Sequence, residues 1–336
     1  MGVERRPVNM FDVAKAAGVS HQTVSRVLND SAAVKESTRR RVNAAIDELG
    51  YHRNLAARAL ATHRSKTLGV ICFDSTLYGP ASMLYAIEHA SRSAGYYVSV
   101  ASESTIDSTT LPMALNRLAE QSVEGVVVIA PLSATRHALS GLRRDLPIVA
   151  VDATGGLGLP VVSVDQFDGA RQATRHLLEQ GASTVWHVTG AEGWTETDAR
   201  LAGWHAELTV AARTIPEPLQ GNWSAASGYQ AGLALARRTD VEAVFVANDQ
   251  MALGLLRAFA EAGRVVPDDV LVAGFDDVPE AEFYSPPLTT VRQDFATVGR
   301  SSVEMLIARI EDDGPIDDQP ILVPAQLVVR QSTRRR

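Results

Sequence analysis

The sequence contains a single cysteine and no long uninterrupted apolar run. Cys72 has no second cysteine with which to form a disulfide, and one thiolate cannot build a zinc site. No window approaches 18 consecutive apolar residues, so a transmembrane helix is not expected. The opening residues, MGVERRPVNMFDV, lack the apolar region of a secretory signal peptide. We therefore expect a cytoplasmic protein.

The sequence also lacks the motifs of several enzyme classes. It has no nucleophile elbow, no Walker loop and no zinc-protease motif. Asp276 and Asp277 are adjacent, so they are not placed to flank a scissile glycosidic bond as a catalytic pair does. These absences argue against an enzyme, and we expect neither a cofactor nor a bound metal. A glycoside-processing protein is kept only as a remote alternative.

What the sequence does have is a strong asymmetry of charge. The chain has 336 residues, too many for one typical domain, and a net charge of −7. Residues 1–66 hold 12 Lys and Arg against 6 Asp and Glu, whereas the remainder holds 20 against 33. A basic head on an acidic body is typical of a DNA-binding domain joined to a second function.

The basic head carries the pattern of three short helices. Helix one is predicted over Met10–Ala17, helix two after a turn at Gly18, and helix three from about Ser37 to Leu49, where Gly50 ends it. The apolar residues at helical spacing, which are expected to point inward, are Phe11, Val13, Ala14, Ala17, Val24, Val27, Leu28, Val42, Ala45, Ile46 and Leu49. This order of elements is the helix-turn-helix unit of DNA-binding proteins.

From residue 67 onward, short apolar runs alternate with longer helical segments. The predicted strands are Leu68–Phe73, Tyr97–Ala101, Gly125–Ile129, Ile148–Val151, Val161–Val164, Val185–Val188, Ala243–Val246 and Val270–Gly274. Continuous apolar strands that alternate with helices indicate parallel α/β sheets covered on both faces. About 265 residues is too long for one such sheet, so two lobes are expected. Ligands of such sheets bind beyond the carboxyl ends of the strands, which predicts a cleft between the lobes.

The stretch DVAKAAGVSHQTVSRVLN resembles the head of the LacI family of transcription regulators. The stretches RLAGWHAEL, NWSAASGYQ, VANDQMALG and GFDDVPEAEFYSPPLTTVRQDF, and the strand at Gln326–Arg330, resemble the same family, so the resemblance covers nearly the whole chain. It implies an all-α helix-turn-helix head, a hinge helix and a two-lobed α/β body of the periplasmic-binding-protein type. It also implies a homodimer that binds a pseudo-palindromic operator and responds to a small effector. A periplasmic sugar-binding protein, a remote alternative with a similar body, would have no use for such a head.

The resemblance divides the chain into three parts. The head spans residues 1–53, the hinge helix and linker 54–66, and the effector-binding and dimerisation body 67–336. One lobe of the body combines residues 67–164 with 292–324, and the other combines 165–291 with 325–331. No leucine heptads follow the body at VVRQSTRRR, so a dimer is expected rather than a tetramer.

Helix two presents polar residues that suit base recognition in the major groove. Gln can bind adenine through two hydrogen bonds and Arg can bind guanine likewise, so His21, Gln22 and Arg26 are expected to contact bases. Ser20 and Thr23, together with Ser25, are expected to contact phosphate or cap the helix. The remaining predicted DNA contacts are Asn29 and, in the hinge at 54–61, Leu60. The resemblance implies that Leu60 enters the minor groove as an apolar wedge.

Six residues match the family's effector site, and most of them follow strands or lie at helix starts. They are Asp152, Arg200, Trp223, Asn248, Asp276 and Phe295. Taken one at a time, each also has an ordinary structural explanation, because an Asp or Asn after a strand often caps a helix and a Trp often lies in a core. Taken together, their carboxylates, amide and guanidinium suit the hydroxyl groups of a monosaccharide or disaccharide, and a galactoside is the first expectation. A purine or another metabolite acting as a co-repressor is the alternative.

Some cleft positions depart from the family member whose motifs this chain resembles. Phe73, Trp194 and Glu196 stand where that member has serine, and Thr105 stands where it has arginine. Leu77 is also expected in the cleft. These departures suggest a different aglycone or a longer saccharide, and His21 in place of a tyrosine suggests a different operator sequence. The expected function is that of a repressor that a small sugar releases from its operator, and the sequence alone does not fix whether the effector induces or co-represses.

Overall fold

The structure of the protein is a computed structural model. It describes residues 8–28, 33–51, 64–73, 76–103, 107–132, 135–140, 146–152, 158–311 and 319–334. The chain forms two compact units, Met1–Ser65 and Lys66–Arg336. The predicted hinge helix, with Leu60, lies outside the described residues, and so do Asn29 and Thr105.

The first unit contains the three predicted helices, α1 (Met10–Ala17), α2 (His21–Leu28) and α3 (Glu36–Leu49). Asn9 caps α1, because its side chain accepts hydrogen bonds from the backbone N–H groups of Phe11 and Asp12. Glycines at the left-handed positions 18 (φ 62°) and 50 (φ 61°) end α1 and α3. The all-α helix-turn-helix arrangement is therefore confirmed.

The core of this unit contains the expected apolar residues with one exception. Val13, Val24 and Val42 are fully buried where the three helices meet. The expectation that Phe11 points inward is wrong, since its side chain is 67% exposed. Its ring instead lies against the imidazole of His21, with ring centroids 5.2 Å apart, because the first turn of α1 faces the start of α2.

The second unit is built on two sheets. The six-stranded sheet is wholly parallel and has the order β10-β5-β4-β3-β1-β2. The five-stranded sheet has the order β11-β9-β8-β7-β6 and is parallel except for the pair β11 and β9. The strands are β1 (Thr67–Phe73), β2 (Tyr97–Glu103), β3 (Gly125–Ile129), β4 (Ile148–Val151), β5 (Val161–Val164), β6 (Trp186–Val188), β7 (Ala243–Val246), β8 (Leu271–Asp276), β9 (Thr289–Arg292), β10 (Ile321–Val323) and β11 (Gln326–Val328). The two-lobed α/β architecture is confirmed.

Helices cover both faces of each sheet, as continuous apolar strands require. They are α4 (Tyr78–Ser93), α5 (Thr110–Glu120), α6 (Thr135–Ser140), α7 (Gln166–Glu179), α8 (Thr195–Val210), α9 (Ala225–Ala236), α10 (Asp249–Glu261) and α11 (Phe295–Glu311), with 3₁₀ turns at Pro279–Phe283 and Gln331–Thr333. Within the described ranges, no helix is both long and apolar enough to cross a lipid bilayer.

The chain passes between the two sheets three times. The first passage lies between β5 and α7, the second between β9 and α11, and the third between β10 and β11. Because both sheets are largely parallel, polar residues that follow their strands collect at the facing edges of the two lobes. The fold therefore places these residues around one cleft.

Candidate functional site

In the first unit, α2 presents a polar face to solvent. His21, Gln22 and Arg26 are exposed, whereas Val24 and Val27 on the opposite face are buried. The polar side chains are therefore available to a partner, and the apolar stripe fixes the rotation of the helix.

Ser20 and Thr23 have a structural role at the start of α2. The Ser20 hydroxyl accepts a 3.2 Å hydrogen bond from the Thr23 N–H, and the two hydroxyl oxygens are 3.0 Å apart. This is the capping arrangement expected for Ser20. Ser25 is half-buried. The imidazole of His21 stacks on Phe11, which restricts the orientations that this ring can adopt.

In the second unit, a cavity of about 130 Å³ lies between the two lobes. This is room for a small molecule, not for a peptide or a nucleic acid. Its walls come from the start of α4, the ends of β4 and β8, and the first turns of α8. The loop before α9 and the segments after β7 and β9 complete them. The lining residues are Thr76, Leu77, Tyr78, Gly79, Pro80, Asp152, Trp194, Glu196, Arg200, Trp223, Asn248, Gln250, Asp276, Gln293 and Phe295. We call this cavity the cleft.

Nine of the ten residues predicted to bind an effector line the cleft. The exception is Phe73, whose ring packs edge-on behind Trp194 with centroids 5.9 Å apart. Arg200 lies in the second turn of α8 and does not open the helix as expected, because α8 begins at Thr195. The lining residues that the sequence did not suggest include Tyr78, Gln250 and Gln293.

Arg200 is the centre of a buried polar network at the base of the cleft. Its Nε donates to Gln166 Oε1 at 2.9 Å, its Nη2 lies 3.5 Å from Asp276 Oδ1, and its Nη1 donates to the carbonyl of Ala247. Gln293 belongs to the same network, because its Nε2 donates to Asp276 Oδ1 at 2.7 Å. The guanidinium carbon also lies 3.8 Å from the centre of the Phe275 ring. These partners hold a buried charge that would otherwise be costly.

Asn248 and Trp223 line the cleft beside Arg200, whose guanidinium carbon lies 5.6 Å from the centre of the Trp223 ring. Asn248 caps α10 by accepting a hydrogen bond from the Met251 N–H at 2.9 Å, and its Nδ2 donates to the carbonyl of Trp223 at 3.0 Å. The Trp223 indole covers Gly190, where an added Cβ would lie 1.9 Å from the ring. Asn248 therefore serves both as the helix cap and as a support for the aromatic wall.

Three residues of the cleft have a backbone conformation that residues other than glycine rarely adopt. The φ angles are 56° at Asp152, 71° at Trp223 and 109° at Asp276. Such conformations persist where the surrounding structure imposes them, and they concentrate at binding sites. Here they direct side chains from the ends of two strands and one loop into the same cavity.

The carboxyl groups of the cleft have raised pKa values. Burial raises the pKa of Asp276 to about 6, although Arg200 opposes the shift. Burial likewise raises the pKa of Asp152 to about 6 against the same opposing charge. Glu196 has a pKa of about 8, first because of burial and second because of the neighbouring negative charge of Asp152. The cleft therefore holds more negative charge than Arg200 alone can balance.

The two lobes are joined at the mouth of the cleft. Leu132 and Trp194 form an isolated β-bridge, and the Thr195 N–H donates to the carbonyl of Pro131 at 2.8 Å. The Thr195 hydroxyl donates to the carbonyl of Asp152 at 2.8 Å, and its oxygen lies 3.1 Å from Glu196 Oε2. These bonds place the start of α8 against the ends of β3 and β4.

Comparisons with known proteins agree with this architecture. Residues 9–54 match the family model described as bacterial regulatory proteins, lacI family, and residues 174–333 match the periplasmic binding protein-like domain. The lactose operon repressor of Escherichia coli (strain K12) is 34% identical over 333 residues, which cover 98% of this chain and 91% of that protein. The HTH-type transcriptional repressor PurR of Haemophilus influenzae (strain PittEE) is 31% identical over 330 residues, covering 96% and 98%.

A solved structure gives the same result for the fold. The crystal structure of the lac repressor dimer bound to operator and the anti-inducer ONPF matches with a TM-score of 0.87 and 34% identity. The match covers 98% of this chain and 99% of that one.

Proposed function

Because the chain belongs to the lacI family of bacterial regulatory proteins, we propose that it is a transcription repressor whose N-terminal unit binds operator DNA and whose cleft binds a small saccharide that releases it. The observation that carries the effector half of this proposal is the Arg200, Asp276 and Gln293 network. A molecule bound there meets fixed donors and acceptors, because each of these side chains is already held by another.

The DNA half of the proposal rests on the exposed face of α2. His21, Gln22 and Arg26 are proposed to read base edges in the major groove, as their side-chain donors and acceptors allow. Ser20, Thr23 and Ser25 are proposed to contact the phosphate backbone nearby. Asn29 and Leu60 lie outside the described residues, and their DNA contacts are proposed on the family resemblance. A regulator of this kind works where the DNA is, which favours the cytoplasm.

A saccharide suits the cleft better than a purine does. Carboxylates at Asp152 and Asp276 and the guanidinium of Arg200 can pair with ring hydroxyls, while Trp223 and Phe295 offer faces for the C–H side of a sugar ring. Each buried polar group left without a partner costs about 1–3 kcal/mol, so a ligand must satisfy most of them. A galactoside-like saccharide is the first proposal, and release of DNA is the proposed response.

We propose that the repressor acts as a homodimer, as the related lac repressor does in its operator complex. A second, largely apolar groove of about 930 Å³ between α4 and α11 supports this. Tyr85 lines this groove and is 69% exposed, and an exposed apolar surface that continues into a groove is typical of a protein–protein contact. A two-fold dimer would also match the symmetry of a pseudo-palindromic site.

The proposed function is tested by DNA fragments that co-purify with the full chain. The fragments are sequenced, and the strongest is titrated with protein at fixed salt, with and without lactose, methyl galactoside and adenine. We expect a specific site with two-fold symmetry and weaker binding when a galactoside is present. Equal affinity for all fragments would contradict the regulator. Release by adenine alone, or tighter binding with sugar, would contradict the saccharide inducer.

Thermodynamic linkage gives a second check on the same complex. If a saccharide weakens DNA binding by a given factor, operator DNA must weaken saccharide binding by the same factor. Calorimetric titration of the saccharide into the free and the DNA-bound protein measures this factor independently. Because this equality holds for any mechanism at equilibrium, unequal factors would mean that one of the two titrations had not reached equilibrium.

A further inference from the structure

The wall of the cleft at the start of α8 carries an acidic pair without a matching cation. Asp152 and Glu196 both line the cleft, and the Thr195 hydroxyl lies between them, 2.8 Å from the backbone carbonyl of the first and 3.1 Å from Oε2 of the second. Arg200 is the one cationic side chain among the described lining residues. Its three donor groups are already directed to Asp276, to Gln166 and to the carbonyl of Ala247.

Unsatisfied polar atoms at the same place indicate that a ligand group is needed there. Asp152 Oδ1 is inaccessible to solvent and has no well-formed hydrogen bond among the described residues, while the backbone N–H of Val164 is close enough to the carboxyl to lower its pKa slightly. Trp223 is 8% exposed, lines the cleft, and its indole Nε1–H has no acceptor in the described chain. The first atom calls for a donor and the second for an acceptor oxygen, and both residues line the same cavity.

Aromatic rings stand beside the acidic pair. Trp194 lines the cleft next to Glu196, and its ring meets that of Trp223 edge-on with centroids 5.5 Å apart. Carboxylates combined with aromatic faces are the chemistry that recognises ammonium groups. A neutral hydroxyl would leave Glu196 protonated beside the charged Asp152, whereas a positive charge would allow both carboxyl groups to ionise.

Resting on the proposed function of the cleft as a saccharide site, we propose that Asp152, Glu196 and Trp194 form a subsite for an ammonium group. The effector is then a saccharide with a free amine, whose hydroxyl or ring oxygens accept from Trp223 and pair with the Arg200 network. Glu196 is the residue that decides between the amine and the neutral sugar.

Binding of an ammonium group at this subsite should release a proton, and this release can be measured. In the empty cleft the pKa of Glu196 is about 8 and that of Asp152 is about 6, and the charged groups facing them are Arg200 on α8 and, behind it, Asp276 on β8. At pH 7 the pair therefore holds one proton, mostly on Glu196. A bound ammonium lowers the pKa of Glu196, so this proton leaves as the amine binds and affinity increases with pH.

The test is calorimetric titration of the full chain with matched sugars. The probes are D-galactosamine against D-galactose, D-glucosamine against D-glucose, and the two N-acetyl forms as uncharged controls. In at least one pair the wild type should bind the amine roughly tenfold more tightly than the hydroxyl counterpart. Binding of the amine should be several-fold tighter at pH 7.0 than at pH 6.0, with proton release seen by comparing two buffers.

Two variants separate the subsite from general electrostatics. Glu196→Gln should reduce the ratio of amine affinity to neutral-sugar affinity to near one and abolish the proton release. Glu192→Gln removes the same charge from an exposed position outside the cleft lining and should change neither the amine preference nor the proton release. Circular dichroism confirms that both variants fold.

The outcomes distinguish this inference from the proposed function. If sugars bind but no amine binds more tightly than its hydroxyl counterpart, or if an amine preference survives in Glu196→Gln, the subsite is overturned and the saccharide repressor stands. If none of the six sugars binds, the subsite and the saccharide effector both fail. DNA binding by the first unit is measured separately and is not affected by either result.

Discussion

The hydroxyl of Thr195 donates a 2.8 Å hydrogen bond to the backbone carbonyl of Asp152, and this bond joins the two lobes at the cleft. Replacing Thr195 with Val keeps the shape of the side chain and removes the bond. A buried hydrogen bond contributes about 1 kcal/mol, so saccharide affinity should fall about fivefold if the ligand binds this arrangement of the lobes. Calorimetric titration of the full chain with the saccharide that releases DNA measures the change.

Thr197 provides the matched control for this prediction. It is the same residue type, lies one position beyond Glu196 on α8, and donates a 2.8 Å hydrogen bond to the carbonyl of Ala191 within its own lobe. Thr197→Val should therefore lower the free energy of unfolding without a comparable loss of saccharide affinity. Equal losses of affinity in both variants would show that the link between the lobes is not what matters.

Arg26 is exposed on α2 and should contribute to operator recognition. If it reads a guanine, Arg26→Ala weakens binding to the specific site by about 1–3 kcal/mol. Arg40→Ala is the control, because it removes the same charge from α3, where Arg40 is exposed and paired with Glu36. Titrations at fixed salt should show that only the Arg26 variant loses its preference for the specific site over random DNA. If both variants lose this preference equally, Arg26 contributes only a general attraction to the phosphate backbone.

His187 should make the protein less stable in mild acid. The ring is buried, stacks on Phe245 with centroids 4.7 Å apart, and donates from Nδ1 to the Phe245 carbonyl at 2.9 Å. Burial lowers its pKa from 6.5 to about 4, so the unfolded chain binds the proton more readily than the folded one. This contribution to stability is complete above pH 6.5 and decreases as pH falls towards 4. The free energy of unfolding should be roughly 2 kcal/mol lower at pH 5 than at pH 8 because of this group.

Comparison with His187→Phe isolates this effect from the cleft carboxyls, whose raised pKa values act in the opposite direction. Urea unfolding of both proteins at pH 5 and pH 8 gives the four free energies needed. Between pH 8 and pH 5, the free energy of unfolding of His187→Phe should decrease by roughly 2 kcal/mol less than that of the wild type. An unchanged decrease would mean that His187 keeps an ordinary pKa in the folded chain.

Tyr85 should be part of the contact between two protomers. Its ring is 69% exposed on α4 and stacks beside His89, with centroids 6.3 Å apart. With 36.0 kDa per chain, light scattering should report a particle of two chains, about 72 kDa. Tyr85→Asp places a charge in the apolar groove and should shift the particle towards one chain. Arg257→Asp, on the exposed face of α10, serves as the control. A dimer that persists in the Tyr85 variant would place the interface elsewhere.

Much of the fold follows from hydrophobic periodicity. The strand at Gly125–Ile129 and the helix at Met10–Ala17 have the predicted bounds, because the strand is buried throughout and Val13, Ala14 and Ala17 form the buried stripe of the helix. β9 and β10 were not predicted. β9 contains two threonines and an arginine, and β10 is an edge strand of three residues between prolines. Such short segments become strands only because a neighbouring strand is available for pairing.

The site is predicted less completely than the fold. Asp152, Asn248 and Asp276 follow strands that were identified, so their place at the cleft could be expected. Gln293 was missed because it follows β9, the strand that was not identified. The exposure of Phe11 could not be found from helical spacing alone, because its stacking on His21 depends on how two helices meet.

The left-handed backbone at Asp152, Trp223 and Asp276 limits how this cleft can acquire new specificity. A β-branched residue at any of these three positions would be strained whatever ligand it faced, so few alternatives are tolerated there. Trp194, Glu196 and Leu77 have φ values that any residue can adopt or lie within a helix. An engineer who wants a sensor for another small molecule should therefore randomise these three positions and keep the strained three unchanged. Natural relatives that respond to different molecules are expected to vary in the same way.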